Sequence, residues 1–202
     1  AWGRAMSEIN FTGDALWGRI ERAVQKVKDR LRRVVDALEA AHVDYAVVGG
    51  NAVQLWVAQA DESVVRNTRD VNIAIKREDL EAARQALESR GFIYRHSAGV
   101  TMFLDGPDAK ARDAVHVVFA GEKVRADYPE PVPSIDDYQS LQDMRAMNLE
   151  SLVRMKLTSH RLKDRVHLLD MISVGLIDET WLARFEGELR ERLQVLLENP
   201  DA

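Results

Sequence analysis

The chain has no cysteine. That absence excludes disulfide frameworks, zinc ribbons and thiol catalysis together, and it fits a reducing, cytoplasmic setting. Glycine and proline are sparse, 11 and 5 residues, too few for a collagenous or low-complexity chain. Long apolar runs are missing as well. None approaches the roughly 20 residues that span a bilayer, so no membrane partner is expected. No apolar stretch follows Ala1-Trp2-Gly3-Arg4-Ala5, so no signal peptide is expected there and Met6 is the expected natural start. Positive charge is in deficit. Against 33 acidic residues stand 28 Lys and Arg, a net charge of −5, which rules out a uniformly basic nucleic-acid coat but not a local basic patch. What is present is ordinary for a globular protein, 46% apolar and 30% charged. A length of 202 residues suits one domain, or a core with a small second lobe.

Patterning gives the organisation. Ile20, Val24, Val27, Leu31, Val34 and Leu38 recur at alternating steps of four and three, one face of an amphipathic helix from about Asp14 to Ala41 lying on a core. Asp44 to Val48 reads as a buried strand ending in Gly49-Gly50, and Asn51 to Ala60 as a short helix. A polar loop runs to Arg69. From Asp70 to Ile75 the residues alternate, with Val71, Ile73 and Ile75 on one face and Asp70, Asn72 and Ala74 on the other. A helix from Arg77 to Arg90 stops at Gly91. Strands follow at Val100–Leu104 and Ala114–Ala120, linked by the turn signal Asp105-Gly106-Pro107-Asp108. Pro129, Pro131 and Pro133 mark an extended connector. Beyond it the chain reads helical almost to its end. Asn148 caps one helix, Gly175 stops the next, and Trp181, Phe185, Leu189, Leu193 and Leu196 stripe the last. The expected divisions are an N-terminal helical segment (1–43), an α/β core (44–133) and a C-terminal helical lobe (134–202).

Two stretches carry chemistry. A strand that ends in Gly49-Gly50 before a helix, followed by Asn51, lets backbone N–H groups approach a phosphate, although it is also an ordinary tight strand-to-helix turn. The run Arg66-Asn67-Thr68-Arg69-Asp70-Val71-Asn72-Ile73 puts Asp70 and Asn72 on one strand face, about 7 Å apart, a spacing that suits the metal ions of a nucleoside triphosphate. The second stretch is basic. On one continuous helix Lys156, His160, Lys163 and His167 share a face, with Arg161 beside them; the bland alternative is a solvated face with Asp164 and Asp170 as intrahelical partners.

Together these residues resemble the nucleotidyltransferase superfamily. Its pattern is an apolar strand, Gly-Gly or Gly-Ser, a helix, then Arg-x-Thr-x-Asp-[apolar]-Asp-[apolar], with a third carboxylate from a later strand. Gly49, Gly50, Arg66, Thr68 and Asp70 match. Lys156-Leu157-x-x-x-Arg161-x-Lys163-Asp164-Arg165 followed by Leu169-Asp170 is similar to the helical motif of the toxin-like, abortive-infection branch. The resemblance covers about Asp44 to Asp178. It implies a mixed α/β sheet of about four strands with flanking helices and a C-terminal helical lobe. It also implies a bound nucleoside triphosphate, Mg²⁺ or Mn²⁺ at Asp70, and nucleotide contacts from Gly49, Gly50, Asn51, Arg66, Thr68, Lys156, Arg161 and Lys163. An antitoxin or other protein partner and an RNA acceptor come with the branch.

The departures matter equally. Asn72 stands where the second metal carboxylate is implied and His116 where the third is, so the catalytic positions read Asp70, Asn72 and His116. Asn is a neutral ligand and His prefers softer ions than Mg²⁺, so metal binding is expected to be weak. Asp105, Asp108, Asp113 and Glu122 are the acids that could compensate. Two functions follow. One is nucleotidyl transfer to a nucleic-acid or protein acceptor. The other is a pseudoenzyme, a degenerate nucleotide- or protein-binding module of the same fold. A third reading, a plain α/β-plus-helix domain, treats the motif match as accidental.

Overall fold

The computed structural model describes residues 13–201. Met6, Trp2 and the rest of the first dozen residues, with which the start-site reading deals, lie outside the described residues. Helix α1 (Gly13–Ala40) leads into β1 (Tyr45–Val48), α2 (Gly49–Ala60), β2 (Val71–Ile75) and α3 (Leu80–Glu88). Then come β3 (Ile93–Ser97), β4 (Val100–Leu104), β5 (Val115–Phe119), β6 (Tyr138–Leu141) and β7 (Met144–Met147). Three helices close the chain: α4 (Leu149–Ser159), α5 (Leu162–Ser173) and α6 (Gly187–Glu198).

One mixed sheet of seven strands, in the order β3-β4-β5-β2-β1-β7-β6, corrects the expectation of about four. Two additions explain the difference. β3 forms an antiparallel hairpin with β4. The β6–β7 hairpin occupies a stretch expected to be helical and joins the sheet through a parallel contact with β1, Val47 opposite Ala146. The sheet therefore continues past the proline connector. β1 runs antiparallel to β2, and β2 parallel to β5.

The centre of the sheet is its most apolar part. All four residues of β1 are buried, as are Val71, Ile73, Ala74 and Ile75 of β2. Both α1 and α2 touch β2. Each fully buried Ile, Val or Leu contributes about 1.5–3 kcal/mol relative to an exposed one, so this strip anchors everything attached to it. α1 lies on the core only through its second half, where Leu31, Val34 and Leu38 are buried; Leu16, Trp17 and Ile20 in its first half are exposed. The apolar stripe of the sequence is thus real but half used.

The helical lobe departs from the expected pattern in two places. The helix expected to carry Lys156 through His167 breaks after Ser159, where His160 takes a left-handed conformation with φ 44°. Trp181 sits in a short 3₁₀ segment, Glu179–Arg184, and Phe185 follows it; neither belongs to α6, whose buried residues are Leu189, Leu193 and Leu196.

Candidate functional site

β2 and β5 are parallel neighbours in register, and Asn72 stands directly opposite His116. In-register neighbours project to the same side of a sheet, so the amide and the imidazole form a pair on one face. Gly49 and Gly50 follow β1 beside them, and their lack of a side chain has a local cause. A Cβ on Gly49, whose φ is +65°, would come within 2.8 Å of the Asn72 amide nitrogen; one on Gly50 would meet the Thr68 hydroxyl at 2.9 Å. The two glycines make room for Asn72 and Thr68 under the start of α2. No side chain caps that helix, so its first N–H groups have no side-chain acceptor.

These groups form one wall of a cavity of about 730 Å³, within the 300–1,000 Å³ of small-molecule sites. Gly49, Gly50, Thr68, Asp70, Asn72 and His116 line it from the sheet side, and Lys156, Arg161 and Lys163 from α4 and α5. Two residues named from the sequence do not reach it. Asn51 is buried, with its amide donating to the Gln54 side chain. Arg66 instead clasps α5, its Nε donating to the Asp170 carboxylate at 2.6 Å. Asp170 is therefore the partner of a loop, not of its own helix.

Lys156 is on the cavity wall yet 3% exposed. Its Nζ donates to Asp164 at 2.9 Å. Asp164, fully buried, also accepts from the Ser159 hydroxyl at 2.7 Å, the Arg161 backbone N–H at 3.1 Å and the Arg161 Nε at 2.8 Å. Burial alone would raise the Asp164 carboxyl, but the Lys156 ammonium and these donors hold it far below the usual carboxylate range. One carboxylate thus joins the two helices across the His160 break and presents the Arg161 guanidinium to the cleft. The solvated-face alternative makes Asp164 an intrahelical partner, and it does pair with Arg161 three residues before it; its further bond to a lysine eight residues back across a helix break has no periodic signature.

Lys163, the second residue of α5, extends to the sheet, and its Nζ lies 3.0 Å from Asp70 Oδ2. His116 is held below its ordinary pKa by burial first, with Asp70 opposing and Lys163 reinforcing, so it is neutral at pH 7. His167, also on the wall, is pushed down to about 4 by burial and then by Lys156; its Nδ1 is buried without a partner.

The donors present do not fit a divalent ion. Among the described residues, no group of three or more His, Cys, Asp or Glu could hold one. Each carboxylate on the cleft wall already has a cation: Asp70 has Lys163, Glu122 has Arg77, Glu130 has Arg154, and Asp164 has Lys156. Of the compensating acids considered, Asp105, Asp108 and Asp113 line a separate groove, where Arg30 and Arg33 hold Asp105.

No family model matches the sequence, and no curated protein sequence does. Solved structures do match in shape. The antibiotic-resistance factor ANT(2″)-Ia in solution superposes with a TM-score of 0.52 at 9% identity, over 86% of this chain and 94% of that one. Its crystal structure in complex with adenylyl-2″-tobramycin gives 0.52 at 12% identity, over 85% and 98%. An antigenic nucleotidyltransferase-like protein from Paracoccidioides brasiliensis gives 0.51 at 16% identity, over 90% of each chain. The fold is nucleotidyltransferase-like. The likeness extends along most of the chain. At these identities the likeness speaks to the fold alone.

Proposed function

We propose that this protein binds a nucleoside triphosphate in the cleft between the sheet and the α4–α5 pair, as a degenerate member of the nucleotidyltransferase superfamily. The observation that carries the reading is the composition of one wall. The uncapped start of α2 at Gly49-Gly50, the hydroxyl of Thr68, and the cations Lys156, Arg161 and Lys163 all border the same cavity. Backbone N–H groups at a helix start and planar or ammonium cations are the groups that hold phosphate chains. Gly49, Gly50 and Thr68 would take phosphate oxygens, Arg161 would give a bidentate contact, and Lys156 would contribute charge while fixing Asp164. A metal at Asp70 has no part in this scheme.

Calorimetric titration with ATP, GTP, CTP and UTP tests it. Saturable binding of at least one, lost on Arg161→Ala, is the expected result. No heat with any of the four would reject the reading.

One observation favours transfer as a second reading. A neutral His116 imidazole beside Asp70 is in the right state to take a proton from an acceptor hydroxyl, on nucleic acid, protein or a small molecule. Release of pyrophosphate from an α-labelled nucleotide, abolished by His116→Ala, would select this reading over the first.

A further inference from the structure

We infer that the Lys163 ammonium takes the place of a divalent cation in this cleft, so that a bare polyphosphate chain is its ligand. The inference rests on the nucleotide reading above and says how the phosphates are held. Lys163 Nζ sits 3.0 Å from the Asp70 carboxylate, beside the Asn72–His116 pair. This is where a metal would need its strongest anionic ligand. A divalent ion would have to displace an ammonium and then rely on one carboxylate, one amide and one imidazole.

The surrounding charge points the same way. Six Lys and Arg side chains line the cavity against four carboxylates, and every one of the four is paired. Arg69 and Lys123, also on the wall, have no carboxylate partner among the described residues. A metal would add positive charge to a wall that already has an excess, whereas a metal-free phosphate chain relieves it. Lysine suits the exchange because its ammonium rides on a flexible stem. Half-exposed ion pairs of this kind are weak, so Asp70 positions the ammonium without trapping it. On arrival of an anion, Lys163 turns from Asp70 to the phosphate oxygens, next to the N–H groups of α2.

The test uses the full chain, inorganic tripolyphosphate and Mn²⁺, read by calorimetry. Tripolyphosphate should bind in EDTA, and excess Mg²⁺, which complexes the free chain, should weaken the apparent affinity. Lys163→Met should weaken binding in EDTA about tenfold or more, and Lys163→Arg should restore most of it. Mn²⁺ alone should give no saturable heat with the parent, and should give it when Asn72→Asp and Lys163→Met are combined. Binding that requires Mg²⁺, undiminished affinity in Lys163→Met, or saturable Mn²⁺ binding by the parent would each overturn the inference. The two proposals separate cleanly. Tripolyphosphate binding without nucleotide binding removes the nucleoside and leaves Lys163 in its role. Nucleotide binding only in Mg²⁺ does the reverse.

Discussion

Two lysine–aspartate pairs meet the same cleft with nearly equal lengths and opposite surroundings. Lys156 and Asp164 lie 2.9 Å apart with side chains 4% and 0% exposed. Lys163 and Asp70 lie 3.0 Å apart with side chains 51% and 34% exposed. Distance alone would rank them equal. Solvent separates them: the buried pair cannot be broken without stranding a charge, whereas water and ligand can replace either partner of the open one. The first holds two helices together, and the second is a movable contact. An ion pair in a binding cleft is therefore read by what would replace it.

The largest effect should come from cutting the buried pair. Asp164→Ala strands Lys156 and removes the acceptor for Ser159 and Arg161, and should cost about 3–5 kcal/mol in denaturant unfolding. Adding Lys156→Met to Asp164→Leu should recover part of that loss, because an apolar pair leaves no stranded charge. If Asp164→Ala costs no more than a surface substitution, the distinction between the pairs collapses.

Acid should find the buried side next. His167, depressed to about 4 in the folded chain, has an ordinary unfolded value near 6.5. Between these values the unfolded chain binds the extra proton, so stability should be full above about pH 6.5 and decline as pH falls toward 4. The loss should be about 2 kcal/mol once partial solvent screening is allowed for, and His167→Gln should flatten that segment of the profile. Asp164, also depressed, adds its own loss only at lower pH, as the solution passes below the ordinary carboxylate value of about 3.9. The two windows can be read from one series of urea melts.

The smallest stability effect should belong to the open pair. Lys163→Met should change unfolding free energy by less than about 1 kcal/mol. Normal stability with weakened polyphosphate binding is the signature that sets it apart from Asp164→Ala. A large stability loss would put Lys163 in the same class as Lys156.

Much of the sheet side of the cleft was legible in the sequence. Alternation in β2 sets Asn72 on the face away from Val71, Ile73 and Ile75, and His116, the one polar residue of β5, stands opposite it in register. What escaped had weak local signals. β3 reads Ile93-Tyr94-Arg95-His96-Ser97 and is largely exposed at the sheet edge, so it has no buried face to write an alternation. β6 and β7 are four residues each, and their turn places Gln142 and Asp143 at φ 49° and 58°. Both need the left-handed region that Asn-Gly usually announces, and Gln-Asp announces nothing. His160 breaks the helix in the same silent way, without glycine or proline. Arg66 matched the pattern and Asn51 follows its glycines, but this chain uses the first for a clasp on α5 and buries the second.

The uncapped start of α2 sets a floor beneath these substitutions. Its N–H groups belong to the backbone, and the partial positive charge they carry does not depend on which side chain occupies any position. Removing Lys163, Arg161 or both therefore subtracts from a field that mutagenesis cannot switch off. Successive cation deletions should converge on a shared residual affinity, and the level at which they converge measures what the peptide bonds alone supply.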